Sequence, residues 1–248
     1  MLYHCFHTPK AEQETILVSP TTIERALNPL PENRQIKDLK KQTATFWIWN
    51  IVEDIVWITI SQGEEAALDK CRVWREYMNP SRMEFYSPSW QLDKQFQWMY
   101  DWWLEQVVQL ALPYQWVYDL RSHNALVEVD YSWYKVLVKW ECDFGIDWNV
   151  LFDVKTAKSK WDEVDKKLTS CYQARYYSWM QFLAHPELNE IDFTYLIFIK
   201  NKTVKLQTMT MNIKREGAFE FVKTTLFEYL KRVSKWELEV STEALDRL

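Results

Sequence analysis

The chain has 248 residues, of which 48% are hydrophobic and 26% are charged, a composition typical of a globular protein with enough residues for a substantial core. Its net charge of −5 excludes a uniformly basic nucleic-acid-binding protein and requires local basic strips for any contact with phosphates. With only 3 glycines there is no Gly-rich phosphate loop, and the 4 cysteines lack the spacing of a zinc site.

Neither a signal peptide nor a membrane-spanning segment is predicted. The first residues lack the pattern of a secretory signal. The most apolar run, residues 46–60, is interrupted by polar residues and is too short to cross a bilayer. We therefore expect a soluble, cytoplasmic protein with reduced thiols and no membrane partner.

Residues 1–85 predict a mainly helical N-terminal extension. Ser19 followed by Pro20 is a typical helix start, a capping residue before a proline in the first turn. Residues 46–60 fit either a helix or a strand, and we favour the helix. Glu64–Tyr77 predicts a further helix with its apolar residues on one side.

Residues 86–248 predict a core that mixes helices and strands. An apolar stripe at helical spacing extends from Pro88 to about Leu112. The elements predicted after it are strands at 125–131, 134–143 and 149–155, a helix at 161–184, strands at 192–200 and 203–211, and a helix at 215–236. This order predicts an α/β fold with a mixed central sheet flanked by helices.

A predicted hairpin places two carboxylates and an amine at one end of the sheet. Asp143 ends the second predicted strand, and Asp153 and Lys155 lie two residues apart on one face of the third. Gly145 and Asn149 suit the turn between them. Carboxylate oxygens are the ligands that hard divalent cations prefer, so the pattern predicts a Mg²⁺ or Mn²⁺ site with a lysine beside it.

The pattern Asp…Asp-x-Lys resembles the PD-(D/E)xK nuclease superfamily. Gln173 and Tyr177 form the Gln-x-x-x-Tyr motif of its RecB-like and lambda-exonuclease-like branch, and Asp-Val-Lys-Thr at 153–156 is a form which that branch favours. The resemblance covers roughly residues 95–235 and implies a restriction-endonuclease-like αβββαβ core. Since no cysteine follows Cys171, the iron–sulfur cluster of some RecB-like nucleases is excluded.

The resemblance implies a role for each motif residue. Asp143, Asp153 and the Val154 backbone carbonyl would hold Mg²⁺ or Mn²⁺, while Lys155 would orient or deprotonate the attacking water or neutralise phosphate charge. Gln173 and Tyr177 would position Lys155 and contact DNA. The remaining candidates are Glu105 and Glu128 as a further acid at the metal, and Thr156, Lys158 and Lys200 as contacts to the substrate.

The implied activity is the hydrolysis of phosphodiester bonds in double- or single-stranded DNA, by an exonuclease of recombination, repair or phage DNA processing. Two alternatives stay open: a structure-specific or restriction-type endonuclease, and a catalytically silent nucleic-acid-binding module on the same fold. A homo-oligomer and a recombination partner protein also stay open. The non-catalytic interpretation is an Asp153–Lys155 pair at a strand end, with Asp143 in a turn.

Overall fold

The structure is a computed structural model that describes residues 2–5, 14–28, 39–77, 102–115, 117–119, 125–131, 134–140, 142–146, 148–157, 160 and 171–234. Its α-helices are α1 (Pro20–Leu27), α2 (Leu39–Gln62), α3 (Glu64–Tyr77), α4 (Leu104–Ala111), α5 (Tyr172–Ala184) and α6 (Arg215–Ser234). Its strands are β1 (Leu2–Cys5), β2 (Glu14–Val18), β3 (Tyr118–Asp119), β4 (Ala125–Tyr131), β5 (Tyr134–Trp140), β6 (Phe144–Ile146), β7 (Val150–Ala157), β8 (Glu190–Ile199) and β9 (Lys205–Lys214).

The described strands form two sheets. One has the order β1-β4-β5-β2, with an antiparallel β4–β5 hairpin and a parallel strand at each edge. The other has the order β3-β6-β7-β8-β9, in which β7 and β8 are parallel and the other neighbours are antiparallel. Two consecutive parallel strands need a crossover connection, and α5 lies in that connection.

Helices cover both faces of the five-stranded sheet. Leu151 and Phe193 belong to a core that includes residues of α1, α5 and α6. Phe152, Val154 and Leu196 face the other way, into a core shared with α2, α3 and α4. Because the central strands are buried on both faces, β8 is apolar along most of its length. The architecture is α/β, with a sheet between two helical layers.

Most of the described helices agree with the sequence prediction. Ser19 caps α1 by accepting a hydrogen bond from the Thr22 backbone N–H at 3.2 Å, and Pro20 occupies the first turn. The ambiguous run at 46–60 lies within helix α2, and α3 has its predicted bounds. The predicted helical segments at 88–101 and 161–170 lie outside the described residues.

The three strands predicted as neighbours of one sheet are divided between two. β4 and β5 belong to the four-stranded sheet, whereas β7 belongs to the five-stranded sheet. The strand expected at 134–143 ends at Trp140, and the separate strand β6 pairs with β7 instead. The prediction was wrong here because a strand of three residues is too short to show an alternating pattern.

Two strands near the N-terminus were not predicted, although the described part of residues 1–85 is otherwise mainly helical, in α1, α2 and α3. β1 pairs with β4 and β2 pairs with β5, both in parallel. Such short edge strands carry little local signal because a distant strand stabilises them. α1 packs against α5 and α6, and α2 packs against β7. Elements on both sides of residue 85 therefore share sheets and cores, and the predicted boundary itself lies outside the described residues.

The longest described helix, α2, carries Glu53 and Asp54 within its apolar half. Within the described ranges, no helix has the length and apolar character that crossing a membrane requires.

Candidate metal and catalytic site

Two buried aspartates lie where β6 and β7 diverge. The pairing of these strands extends from Ile146–Val150 to Phe144–Phe152, and the same register continued by one residue sets Asp143 opposite Asp153. The two aspartates are 8% and 3% exposed. The unpredicted strand β6 therefore brings together the two carboxylates that the sequence analysis selected.

The Asp143 side chain binds the backbone of β7 two residues beyond Phe152, the last residue of β7 that pairs with β6. Its Oδ2 accepts a hydrogen bond from the Val154 backbone N–H at 2.7 Å. The N–H and C=O of one strand residue point to the same edge of that strand. The Val154 carbonyl, which the sequence analysis proposed as a metal ligand, therefore faces the edge at which the Asp143 carboxylate lies.

Lys155 is held beside the second aspartate. Its ammonium forms an ion pair with Asp153, and 22% of the Lys155 side chain is exposed. The ring of Tyr195, which is paired in register with Asp153 on β8, lies with its centroid 6.0 Å from Lys155 Nζ. The Tyr195 hydroxyl in turn contacts the thiol of Cys171 just before α5. An aromatic ring and a carboxylate thus restrict where this ammonium can lie.

Helix α5 brings the Gln-x-x-x-Tyr motif to the same place. The side chain of Gln173 lies close enough to the Tyr177 hydroxyl to oppose, in part, the rise in pKa that burial causes there. Burial raises the pKa of Tyr177, and the nearby carboxylates of Asp153 and Asp143 raise it further. Gln173 and Tyr177 lie one helical turn apart, so a single face of α5 covers the aspartates.

The site contains two buried carboxylates whose negative charges solvent stabilises poorly. Burial raises the pKa of Asp143 well above its usual range, and repulsion from Asp153 and then Glu53 adds to this effect. Burial also raises the pKa of Asp153, although Lys155 opposes the shift. Burial, the largest single cause, would lower the pKa of Lys155, but the charge of Asp153, its hydrogen bond to Lys155 and the nearby Asp143 and Cys171 together outweigh burial and raise the pKa. A bound cation would relieve this repulsion.

Two acidic residues near these groups, Glu53 and Glu24, were not predicted from the sequence. Glu53 of α2 lies close enough to Asp143 to raise its pKa by repulsion. Burial raises the pKa of Glu24 in α1. The charges of Arg25 and then Lys155 oppose this rise without reversing it. The signal for Glu53 was present, since it interrupts the most apolar run of the chain between buried residues. For Glu24 we find no local signal.

The two lower-ranked acids have other surroundings. Glu105 of α4 forms an ion pair with Arg75 of α3. Glu128 pairs in register with Leu137 in the four-stranded sheet, and its side chain lies outside the described residues. Glu53, rather than Glu105, is therefore the additional acid that the described structure brings to Asp143.

The predicted substrate contacts are distributed around the C-terminal ends of β7 and β8. Thr156 is partly buried and, by alternation along β7, projects to the opposite face from Lys155. Lys200 follows β8 and is buried rather than part of an exposed strip. Lys202 and Lys205, nearby in the chain, are exposed. Lys158 lies outside the described residues.

The oxygen donors at the site fit a hard divalent cation in their chemistry. Among the residues that the structure describes, no group of three or more His, Cys, Asp and Glu side chains forms a ready metal cluster. Asp143 and Asp153 supply two carboxylates, and the Val154 carbonyl faces the same edge as Asp143. Oxygen ligands of this kind suit Mg²⁺ or Mn²⁺, which complete their coordination with water.

Comparisons with known proteins add little to this geometry. No family model and no curated protein matches the chain. Among solved structures, a chain described as "Crystal structure of SSO0001" is similar, with 12% sequence identity and a TM-score of 0.30, over 89% of this chain and 78% of that one. A score this low carries no argument, so what is known here is an α/β fold with two buried aspartates and a lysine at its centre.

Proposed function

We propose that this chain is a metal-dependent deoxyribonuclease of the PD-(D/E)xK superfamily, in its RecB-like and lambda-exonuclease-like branch. One observation carries the proposal: Asp143 and Asp153 lie close enough to repel each other where β6 and β7 diverge, and Lys155 is paired with Asp153. The form we favour is an exonuclease of recombination, repair or phage DNA processing. An endonuclease and a silent DNA-binding module are the alternatives, and a single cleavage assay separates all three.

The element order supports a restriction-endonuclease-like αβββαβ core. After α4, the antiparallel strands β3, β6 and β7 are neighbours in one sheet, α5 follows, and β8 lies parallel to β7. The β4–β5 hairpin is then an insertion between the first and second strands of that core. In this proposal the three strands of the core would be β3, β6 and β7, a different set from the one that the sequence predicted.

Each group at the site has a task in phosphodiester hydrolysis. Asp143, Asp153 and the Val154 carbonyl would hold Mg²⁺ or Mn²⁺, which when bound supplies charge neutralisation and a more acidic water. Lys155, fixed between Asp153 and Tyr195, presents a positive charge that can orient the water or stabilise the phosphate. Gln173 and Tyr177 close the site on the α5 side. Burial strengthens these interactions because it lowers the local dielectric.

The proposal predicts cleavage that requires both a divalent cation and Lys155. Linear and circular DNA are incubated with Mg²⁺ or Mn²⁺, with a Lys155→Ala variant beside the native protein. Products from the linear form only indicate an exonuclease, and products from both forms indicate an endonuclease. Loss of activity in the variant ties the cleavage to this site. If the native protein binds DNA but leaves both forms intact at every metal concentration, the silent module is correct and the enzyme is not.

The charge of Glu53 is expected to strengthen the binding of the cation at the site. Replacing it with Gln removes a negative charge near Asp143, and we expect Mn²⁺ affinity to fall about tenfold, as for other groups that act just outside a metal. Isothermal titration calorimetry measures the change. The matched control is Asp54→Asn, because Asp54 pairs with Lys70 at 3.1 Å and accepts from Trp74 Nε1 at 2.8 Å instead. Equal losses in the two variants would exclude this role for Glu53.

A further inference from the structure

An exposed aromatic and basic patch lies outside the proposed active site. It consists of Trp102, Lys202 and Lys205, and we call it the turn patch, because the two lysines belong to or follow the β8–β9 turn. Trp102 precedes α4 and is 36% exposed, so part of this large aromatic side chain lies in solvent. Neither the packing of the core nor the proposed chemistry requires its exposure.

The geometry of the patch is fixed by hydrogen bonds between the turn and the start of α4. They are Trp102 Nε1 to the Lys202 carbonyl at 3.2 Å, Trp103 Nε1 to the Asn201 carbonyl at 3.0 Å, and the Val204 N–H to Gln106 Oε1 at 2.9 Å. Because the edge of the Trp102 ring donates to the backbone of Lys202, the ring and this lysine are direct neighbours. The indole is therefore held in place while part of its surface stays in solvent.

Charge distinguishes this end of the sheet from the other. The segment from Lys200 to Gln207 holds three lysines and no acidic residue. At the opposite end, next to the β6–β7 turn, the exposed residues include Glu187, Glu190 and Asp192 beside Lys214. Trp148, in that turn, is also exposed, at 46%. Among the described residues, one exposed indole thus lies beside lysines, and another, stacked on His185, lies at the end of the sheet that carries three exposed acidic residues.

We propose that the turn patch binds a single-stranded segment of the DNA substrate, with a base stacked on Trp102 and phosphates at Lys202 and Lys205. This inference rests on the proposed function, because it names a binding surface for the same substrate. A fixed aromatic surface with neighbouring cations is the combination that binds single strands without sequence preference. Such binding is dominated by contacts to phosphates, and the acidic residues at the other end of the sheet would repel these phosphates.

The patch lies beyond the C-terminal end of β8, the strand that pairs with β7 of the proposed active site. Lys155 is paired in register with Ile197, three residues before Lys200, a separation of about 10 Å at the rise of a strand. Lys155 projects toward α5, whereas the patch lies on the α4 side. A DNA strand that contacts both the active site and the turn patch therefore has to pass over the C-terminal ends of β7 and β8. Thr156 projects to the α4 side there.

The experiment measures binding by fluorescence anisotropy in EDTA, so that cleavage cannot interfere. The probes are a labelled oligothymidine and an abasic strand of the same length, about 16 nucleotides each. Trp102→Leu is expected to weaken oligothymidine binding about tenfold and to leave the abasic strand nearly unchanged. Trp102→Phe, which keeps a ring, retains most of the affinity and controls for folding. Trp148→Leu is the matched control and is expected to change neither probe.

The lysines are tested through the salt dependence of the same binding. Lys202→Gln with Lys205→Gln should make the plot of log affinity against log salt less steep, by about 0.7 for each phosphate that the variant no longer neutralises. The proposal that the turn patch binds DNA would be overturned by equal effects of the Trp102→Leu and Trp148→Leu variants. It would also be overturned if the native protein bound neither oligonucleotide. Binding that depends on the patch in a protein without nuclease activity would uphold the patch and reject the proposed enzyme, so the two failures are distinguishable.

Discussion

Replacing Asp143 with Asn is expected to remove DNA cleavage while making the metal-free protein more stable. Asn keeps an oxygen for the hydrogen bond from the Val154 N–H but carries no charge, so the local structure is retained. If the proposed function is correct, the loss of a carboxylate that would hold the metal should lower turnover by about a thousandfold or more. The buried charge that Asp143 contributes near Asp153 and Glu53 is removed as well, which favours the folded state.

The gain in stability is expected to grow with pH. The pKa of Asp143 is higher in the folded chain than in the unfolded chain, so the folded state binds this proton more tightly. That contribution is complete below the unfolded value of about 3.9 and is lost as the pH rises through the folded value. Each pH unit in this window costs the native protein about 1.4 kcal/mol relative to Asp143→Asn.

Urea unfolding in EDTA across this pH range measures the difference between the native protein and the Asp143→Asn variant. Added Mg²⁺ should stabilise the native protein and leave the variant nearly unchanged, because a cation that binds only the folded site shifts the equilibrium by mass action. Two outcomes would contradict this expectation. A variant that is less stable than the native protein in EDTA at every pH would show that the buried charge of Asp143 does not destabilise the fold, and a variant that cleaves DNA normally would show that this carboxylate does not hold the metal.

Replacing Arg215 with Met is expected to lower the free energy of unfolding by about 3 kcal/mol. The last carbonyls of a helix have no partner within the helix, and Arg215 satisfies those at and beyond the end of α5. Its guanidinium donates to the carbonyls of Phe182 at 3.1 Å, His185 at 3.0 Å, Pro186 at 2.8 Å and Leu188 at 2.7 Å. It also lies over the rings of Phe182 and Phe219.

Chemical denaturation of the Arg215→Met variant tests this expectation, with Lys214→Met as the control. Lys214 is the preceding residue and is exposed, so its replacement should change the free energy of unfolding by no more than about 0.5 kcal/mol. Arg215→Lys should fall between the two, because an ammonium retains the charge but cannot donate to four carbonyls in one plane. If Arg215→Met is as stable as the Lys214 variant, these carbonyls are satisfied without the guanidinium.

Short-range pattern accounts for the parts of the fold that the sequence predicted. The start of α1 depends on Ser19 and Pro20, which act within one turn, and the faces of β7 follow from strict alternation. Strand pairing is different, because it depends on residues that are distant in the chain. β5 continues the alternating pattern toward Asp143 and was therefore predicted to pair with β7 as well as with β4, yet its second neighbour is β2.

The sequence by itself determined which side chains carry the candidate chemistry: Asp143, Asp153, Lys155, Gln173 and Tyr177 were all selected from motif and spacing. Only the tertiary structure decided that β6 sets the two aspartates opposite each other, that Glu53 of α2 lies near them, and that Trp102 lies beside Lys202. The physical reason is that periodicity along a strand or helix is local, whereas these juxtapositions arise from helices packing onto both faces of one sheet.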